Sequence, residues 1–366
     1  MTTPCQKKPG APDRRSRILG AMLGGAVGDA LGAPVADMDI AAIRERYGKA
    51  GIFRMEAAYE RTGAITDHTR MALFTAEGLI LSRVRQEYAR EELAVTALYH
   101  AYLRWLLTQD FQGQGELVRQ HGTCAVVDGV LTGYRELFAR RAPCRTCLSA
   151  LRSGKMGTMD RPVNDSKSNS GLTRVAPVGL VCVDASKAFD LGCASAAITH
   201  GHPGGYLAAG FLAALLSRLA SGQPLTEAVA DATGILTATS GHEECLRAVE
   251  KAVAWSSGQQ PVTSEVLDAL GDGRTAEDAL TIALCAALAA DRDFRQGALT
   301  AVNHSGDSGA TAAIAGSILG AGGGADGIPD EWLMELELKG LIEETAMDLF
   351  DQLCTLDYDS RYLGKA

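Results

Sequence analysis

Aromatic residues are scarce in this 366-residue chain, at 5%. Its interior must therefore be assembled mainly from Ala, Leu, Val and Ile. Small side chains let helices approach closely, and the composition leans all-α. A basic excess is also absent: 35 Lys and Arg face 44 Asp and Glu, a net charge of −9. That excludes a general nucleic-acid binder, which needs a basic footprint, and a surface seeking anionic lipid. The first twenty residues contain no apolar run of the secretory kind. The longest apolar stretches, near 205–216 and 279–290, are too short or too interrupted to span a bilayer, so no membrane partner is expected. Paired cysteines are lacking too. Nine are scattered along the chain, an odd number, which suits reduced thiols and a cytoplasmic location. Cys144 and Cys147 form one C-x-x-C with no second pair at zinc spacing, a weak metal or redox signal.

Helical patterning fills most of the rest. Residues 1–14, with Lys7, Lys8 and Arg14 among Pro9, Gly10 and Pro12, read as a flexible basic tail that Arg15 and Arg17 extend. It is either simply solvated or an arm for a partner. No linker divides residues 15–366, so a single domain is expected despite the length. From Arg15 to Leu31, glycines at 20, 24, 28 and 32 recur every fourth residue and share one helix face. Such a face is unfavourable in an isolated helix and requires close approach by another helix or a ligand. Asp29, inside this apolar run, needs a partner. Further helices are expected at 40–47, from 65, and at 90–108, 128–140, 184–198, 204–221, 223–236, 241–256, 263–271, 275–291, 293–301, 310–322 and 329–353. Residues 51–64 and much of 110–175 read as loop. Residues 176–183 suit a strand or a helix equally.

Three polar segments stand beside small residues at helix starts: Thr66–Thr69, Asn164–Arg174 and Asn303–Thr311. Thr66 or Asp67 suits an N-cap, where free backbone N–H groups and the helix dipole meet side-chain oxygens. Hydroxyls and carboxylates from two such starts can converge on a hard cation such as Mg²⁺. A Ser/Gly/Asn loop ending in Arg suits a phosphate.

These motifs carry a resemblance. G-G-A-V-G-D-A-L-G-A-P-V at 24–35, T-D-H-T-R-M-A-L at 66–73, S-N-S-G-L-T-R-V-A-P at 168–177, T-H-G-H-P-G-G-Y at 199–206 and A-V-N-H-S-G-D-S-G-A-T-A-A-I-A-G at 301–316 resemble the ADP-ribosylglycohydrolase family over about residues 15–353. The resemblance implies a single all-α orthogonal bundle of a dozen or more helices and a binuclear Mg²⁺ site. It also implies cleavage of the glycosidic bond joining ADP-ribose to an acceptor, often a protein side chain. Carried over by position, Thr66, Asp67, His68, Asp307 and Thr311 are the metal candidates, and Asp67 and Asp307 the catalytic ones. Ser170, Gly171 and Arg174 are expected at the diphosphate, with His202 and Tyr206 near the nucleotide.

The chain departs from the family pattern in one direction. His68 replaces a metal-binding Asp, Ala36 stands where a Glu is usual, and Gly309 and Ala310 stand where the late Asp-Thr pair falls. Arg70 replaces a Gln. Carboxylates are lost where two cations would need neutralising, so a second Mg²⁺ is disfavoured; His68 then ligates a softer metal, caps the helix or faces substrate. The leading expectation is an Mg²⁺-dependent hydrolase that frees ADP-ribose from a modified protein. The alternative is an impaired homologue that binds ADP-ribose, an ADP-ribosylated protein or an ADP-ribosyltransferase toxin, as an immunity protein would.

Overall fold

The computed structural model describes residues 11–85, 91–258, 260–351 and 362. Nearly all regular structure is helical; among the described residues the strands are a single hairpin of Ala57–Ala58 against Arg61–Thr62. Acidic and threonine N-caps start many of the helices. Asp13 accepts from the Ser16 N–H, Asp39 from Ala42, Thr275 from Asp278 and Asp293 from Gln296. Each supplies an acceptor that the first turn otherwise lacks.

The apolar Pro203–Ala220 helix is buried on almost every side. It packs against Ala185–Ala197, Leu225–Thr237, Ala276–Ala289 and Ser308–Gly323. The most intimate pairing joins Arg14–Gly32 to Ser308–Gly323, which run antiparallel. A methyl group built on Gly20 would lie 2.4 Å from the Gly320 carbonyl oxygen, one on Gly24 2.3 Å from that of Gly316, and one on Gly28 1.9 Å from that of Ala312. Gly32 meets the backbone of Gly309 at 2.4 Å. The four-residue glycine spacing is thus a backbone-to-backbone seam, and another helix rather than a ligand occupies it. Arg14–Val35 is long and apolar enough to cross a membrane, yet most of it is buried within the protein.

Three expectations are corrected. Residues 128–140 form two short 3₁₀ turns, Leu131–Gly133 and Arg135–Phe138, not one helix. The buried Glu77 carboxylate accepts the N–H groups of Val130 and Leu131 and pins this segment to the Asp67–Val84 helix. The helix expected over 329–353 is broken into Asp330–Glu335 and Lys339–Asp351; residues 352 and 353 lie outside the described residues. Between the two pieces, Glu337 turns inward to pair with Arg141 and to accept the Ile65 N–H, and Leu338 adopts φ +55°. The basic cluster assigned to a tail is partly built into the fold. Arg14 donates to the Leu180 carbonyl at 2.9 Å, and Arg17 caps the carbonyls of Ala321 and Gly322 at the end of the seam. Lys7 and Lys8 lie outside the described residues.

Candidate functional site

The seam brings the end of the first helix beside the start of Ser308–Gly323, and Asp29 fixes the third partner. Fully buried, Asp29 accepts hydrogen bonds from the Thr66 N–H (2.8 Å) and hydroxyl (2.6 Å) and from the Thr69 N–H (3.2 Å) and hydroxyl (2.6 Å). The buried carboxylate that the sequence left without a partner thus anchors the Asp67–Val84 helix to the glycine helix.

Asp67, in the first turn of that helix, is held from two sides. The Trp105 indole N–H donates to Oδ1 at 2.7 Å and the Cys144 N–H to Oδ2 at 3.2 Å. Burial penalises its charge and lifts its pKa to about 7, against the lowering effect of these donors. His68 follows. Its Nδ1 lies 3.2 Å from the Thr173 hydroxyl and its Nε2 3.6 Å from Asp307 Oδ1. Burial opposes the charged ring, but the adjacent Asp307 carboxylate, reinforced by the charges of Asp29 and Asp67, outweighs it and raises the pKa to about 9. Asp307 responds in the opposite sense. Burial pushes its pKa up, yet His68, the Asn169 side chain and the Ala310 N–H bring it down to about 2. Near neutral pH this is a histidinium–carboxylate pair.

Asp307 N-caps Ser308–Gly323 through the Ala310 N–H at 3.1 Å, and its Oδ2 accepts from Asn169 Nδ2 at 2.6 Å. Asn169 also donates to the Gly273 carbonyl at 2.7 Å. The three polar segments singled out in the sequence therefore meet. Gly309 lies beside the His68 ring, and a Cβ there would stand in ordinary contact 3.5 Å from its Cδ2.

The donors do not fit a pair of Mg²⁺ ions. Asp307 faces an imidazolium, and His68 stands where a second cation would need a carboxylate to neutralise it; Asp67 and Thr66 keep lone pairs beyond their hydrogen bonds to Trp105, Cys144 and Asp29. Thr311 is fully buried with its hydroxyl on the Ala301 carbonyl (2.8 Å) and the His304 ring (2.7 Å), turned away from the rim. Arg70 is fully buried; its guanidinium donates to the carbonyls of Glu136 and Ala139, and its charge still acts on Asp67 and Asp29.

The expected diphosphate and nucleotide residues divide. Ser170 is half-buried at the rim with its hydroxyl toward Asn169 Oδ1, and Gly171 packs on Ala196 and the His200 ring. Arg174 is fully buried; it donates to the Ser195 carbonyl (2.8 Å) and the Thr199 hydroxyl (2.9 Å) and covers the Tyr102 ring. It is an internal post, not a surface phosphate ligand. His202 caps Pro203–Ala220 through the Gly204 N–H at 3.0 Å, and Tyr206 packs half-buried on the core. His202 also lies with Glu244 and Glu277, ligand atoms within 4.8 Å of one another, but the Lys167 ammonium already bonds Glu244 and sits 3.6 Å from Glu277. Trp105, Cys144 and Asn169 were missed as site residues. Asn169 lies inside a quoted motif, whereas a Trp in an apolar helix reads simply as core.

The all-α bundle is the architecture that the resemblance implied, and the comparisons make the family specific. The ADP-ribosylglycohydrolase family matches residues 10–358, and the chain belongs to that family. It is 26% identical over 335 residues to the ADP-ribosyl-dinitrogen reductase glycohydrolase of Rhodospirillum rubrum, covering 90% of this chain and 92% of that one. An uncharacterized protein of Archaeoglobus fulgidus is 27% identical over 350 residues, covering 92% and 96%. A solved structure described as an ADP-ribosylglycohydrolase-related protein complex superposes with a TM-score of 0.64 at 26% identity, covering 93% of this chain and 99% of that one.

Proposed function

We propose that this protein hydrolyses the glycosidic bond between ADP-ribose and a modified acceptor, a protein side chain, and that it does so without the two-cation centre the family resemblance implies. The observation that carries the reading is the meeting of Asp67, the His68–Asp307 pair and the Asn169–Thr173 loop at one rim. Asp67, with a pKa near 7, is matched to proton exchange at neutral pH and acts as the base on the attacking water. His68, protonated below about pH 9, supplies the positive charge and the proton for the departing acceptor. Ser170 and Gly171 are the substrate-binding candidates this reading retains. His202 and Tyr206 are retained only for the far end of the nucleotide.

The test is release of ADP-ribose from a modified protein, in Mg²⁺ and in chelator. Activity is expected in both, with kcat/KM rising as Asp67 ionises near pH 7 and falling as His68 deprotonates near pH 9. Asp67→Asn should lose about 10²–10⁴-fold, the range of a lost acid–base group. An Asp67→Asn enzyme of undiminished activity refutes the assignment. The closed His68–Asp307 pair and the missing carboxylates at Ala36 and Gly309 also favour a second reading, a binder of an ADP-ribosylated protein or of an ADP-ribosyltransferase. Tight ADP-ribose or transferase binding with no turnover under any metal condition would select it.

A further inference from the structure

Behind the Asp67 side of the rim, the C-x-x-C of the sequence meets a histidine from a distant segment. One ligand atom each from Cys144, Cys147 and His200 lies within 4.8 Å of the other two. We propose that these three residues form a binding site for a soft divalent cation of the zinc type, with the fourth position open.

The chemistry suits such an ion. Two thiolates and an imidazole are ligands that zinc-type cations prefer and Mg²⁺ does not, and three protein ligands with an open position is the arrangement of reactive rather than purely structural zinc sites. Bonds of about 2.3 Å to sulfur and 2.0–2.1 Å to nitrogen require only a modest contraction of the cluster. The spacing C-x-x-C places both sulfurs at one helix start. Cys144 caps Arg145–Arg152, and the Cys147 N–H donates to its sulfur at 3.4 Å. Arg174 donates to the Cys147 sulfur at 3.5 Å. Donors aimed at sulfur orient it, the part that outer partners play around bound metals, and the incoming ion displaces the thiol protons.

His200 is equally prepared. Its ring is fully buried between the Ser168 hydroxyl (2.9 Å) and the Thr199 hydroxyl (2.8 Å). One hydroxyl yields its place to the ion, while the other stays and fixes the ring. Charge balances as well. Two thiolates neutralise the dication. Cys147 and His200 are buried and Cys144 is half-buried, so the ion enters past Cys144.

The experiment uses the full chain, reduced and metal-free under anaerobic conditions, titrated with Co²⁺ and then competed with Zn²⁺. It needs no ADP-ribose, so its outcome is independent of the hydrolase reading. One equivalent of Co²⁺ should develop thiolate charge-transfer absorption and tetrahedral visible bands, and one equivalent of Zn²⁺ should abolish them. Cys144→Ser, Cys147→Ser and His200→Ala should each weaken Co²⁺ binding by about 100-fold or more, since even a lost outer partner costs about 10–100-fold. Cys285→Ser, a buried cysteine outside the cluster, should leave the titration unchanged. Zn²⁺ should also shield Cys144 from alkylation in the unmodified protein, a readout that survives if a variant fails to fold. Absence of charge-transfer bands, bands that persist in His200→Ala, or alkylation of Cys144 unaffected by Zn²⁺ would each overturn the proposal.

Discussion

Along the seam between Arg14–Gly32 and Ser308–Gly323, two helices touch through their backbones. At the seam's end, the same two helices hand over to side chains. In the first region a missing Cβ is the device, and a methyl group added at Gly20, Gly24, Gly28 or Gly32 collides with backbone. In the second, Asp29, Thr66, Asp67, His68, Asn169 and Asp307 are tied by hydrogen bonds and charge, and every removed atom leaves a buried group unpaired. The seam delivers the polar residues to within hydrogen-bonding reach but contributes none of their chemistry. The two regions therefore fail differently, by overpacking and by loss of polar partners.

The largest effect is expected from overpacking. Gly28→Val would drive a side chain into the Ala312 carbonyl, already 1.9 Å from the position of its Cβ. Overpacking of a tight core costs about 1–3 kcal/mol and occasionally more. With backbone as the obstacle, about 3 kcal/mol or more is expected in urea unfolding. A variant of parental stability would mean that the seam can open.

Removing the anchor comes next. Asp29→Ala leaves four N–H and O–H donors of Thr66 and Thr69 without their acceptor. An unsatisfied buried group costs about 1–3 kcal/mol, so a loss of about 3 kcal/mol is expected from the set, with ADP-ribose release falling as Asp67 loses its position. Full activity in a destabilised Asp29→Ala protein would separate anchor from site.

The third prediction concerns pH. His68 binds its proton more tightly folded than unfolded, with a pKa of about 9 against 6.5. The pair's contribution is thus fully present below pH 6.5 and is lost as pH rises through 9. At 1.36 kcal/mol per pKa unit, and with 17% of the His68 side chain exposed to screening solvent, about 2 kcal/mol of stability should disappear across that window. His68→Asn should flatten that part of the stability–pH curve. An unchanged curve would remove the ion pair. Asp307 contributes with the opposite sign. Its pKa is depressed to about 2, so its share is present above pH 3.8 and lost as pH falls toward 2.

The smallest effect is a control. Gly234 lies within the Leu225–Thr237 helix with nothing near its missing Cβ. Gly234→Ala should stabilise by about 0.5–1 kcal/mol through helix propensity alone. Destabilisation there would show that glycine burden, not the seam's close contact, governs the response.

Local rules carried the sequence far. The 3.6-residue period and the caps fixed most helices, because their signals act within about four residues. The glycine spacing of 20, 24, 28 and 32 announced a close approach, and the polar helix starts announced a meeting place. The family motifs added the chemistry. What sequence left open was decided by contacts between segments far apart in the chain. Arg174 reads as a phosphate ligand at the end of a Ser/Gly loop, yet the Ser195 carbonyl, the Thr199 hydroxyl and the Tyr102 ring claim it. Trp105 reads as core, yet its N–H holds Asp67. Residues 336–338 read as helix until Glu337 finds Arg141 and the Ile65 N–H across the fold. His68 stood undecided between ligand, cap and substrate contact, and Asp307, brought beside it by the seam, made it a cation. A buried charge takes whatever opposite charge or donor the packing supplies, and no local pattern encodes which one that is.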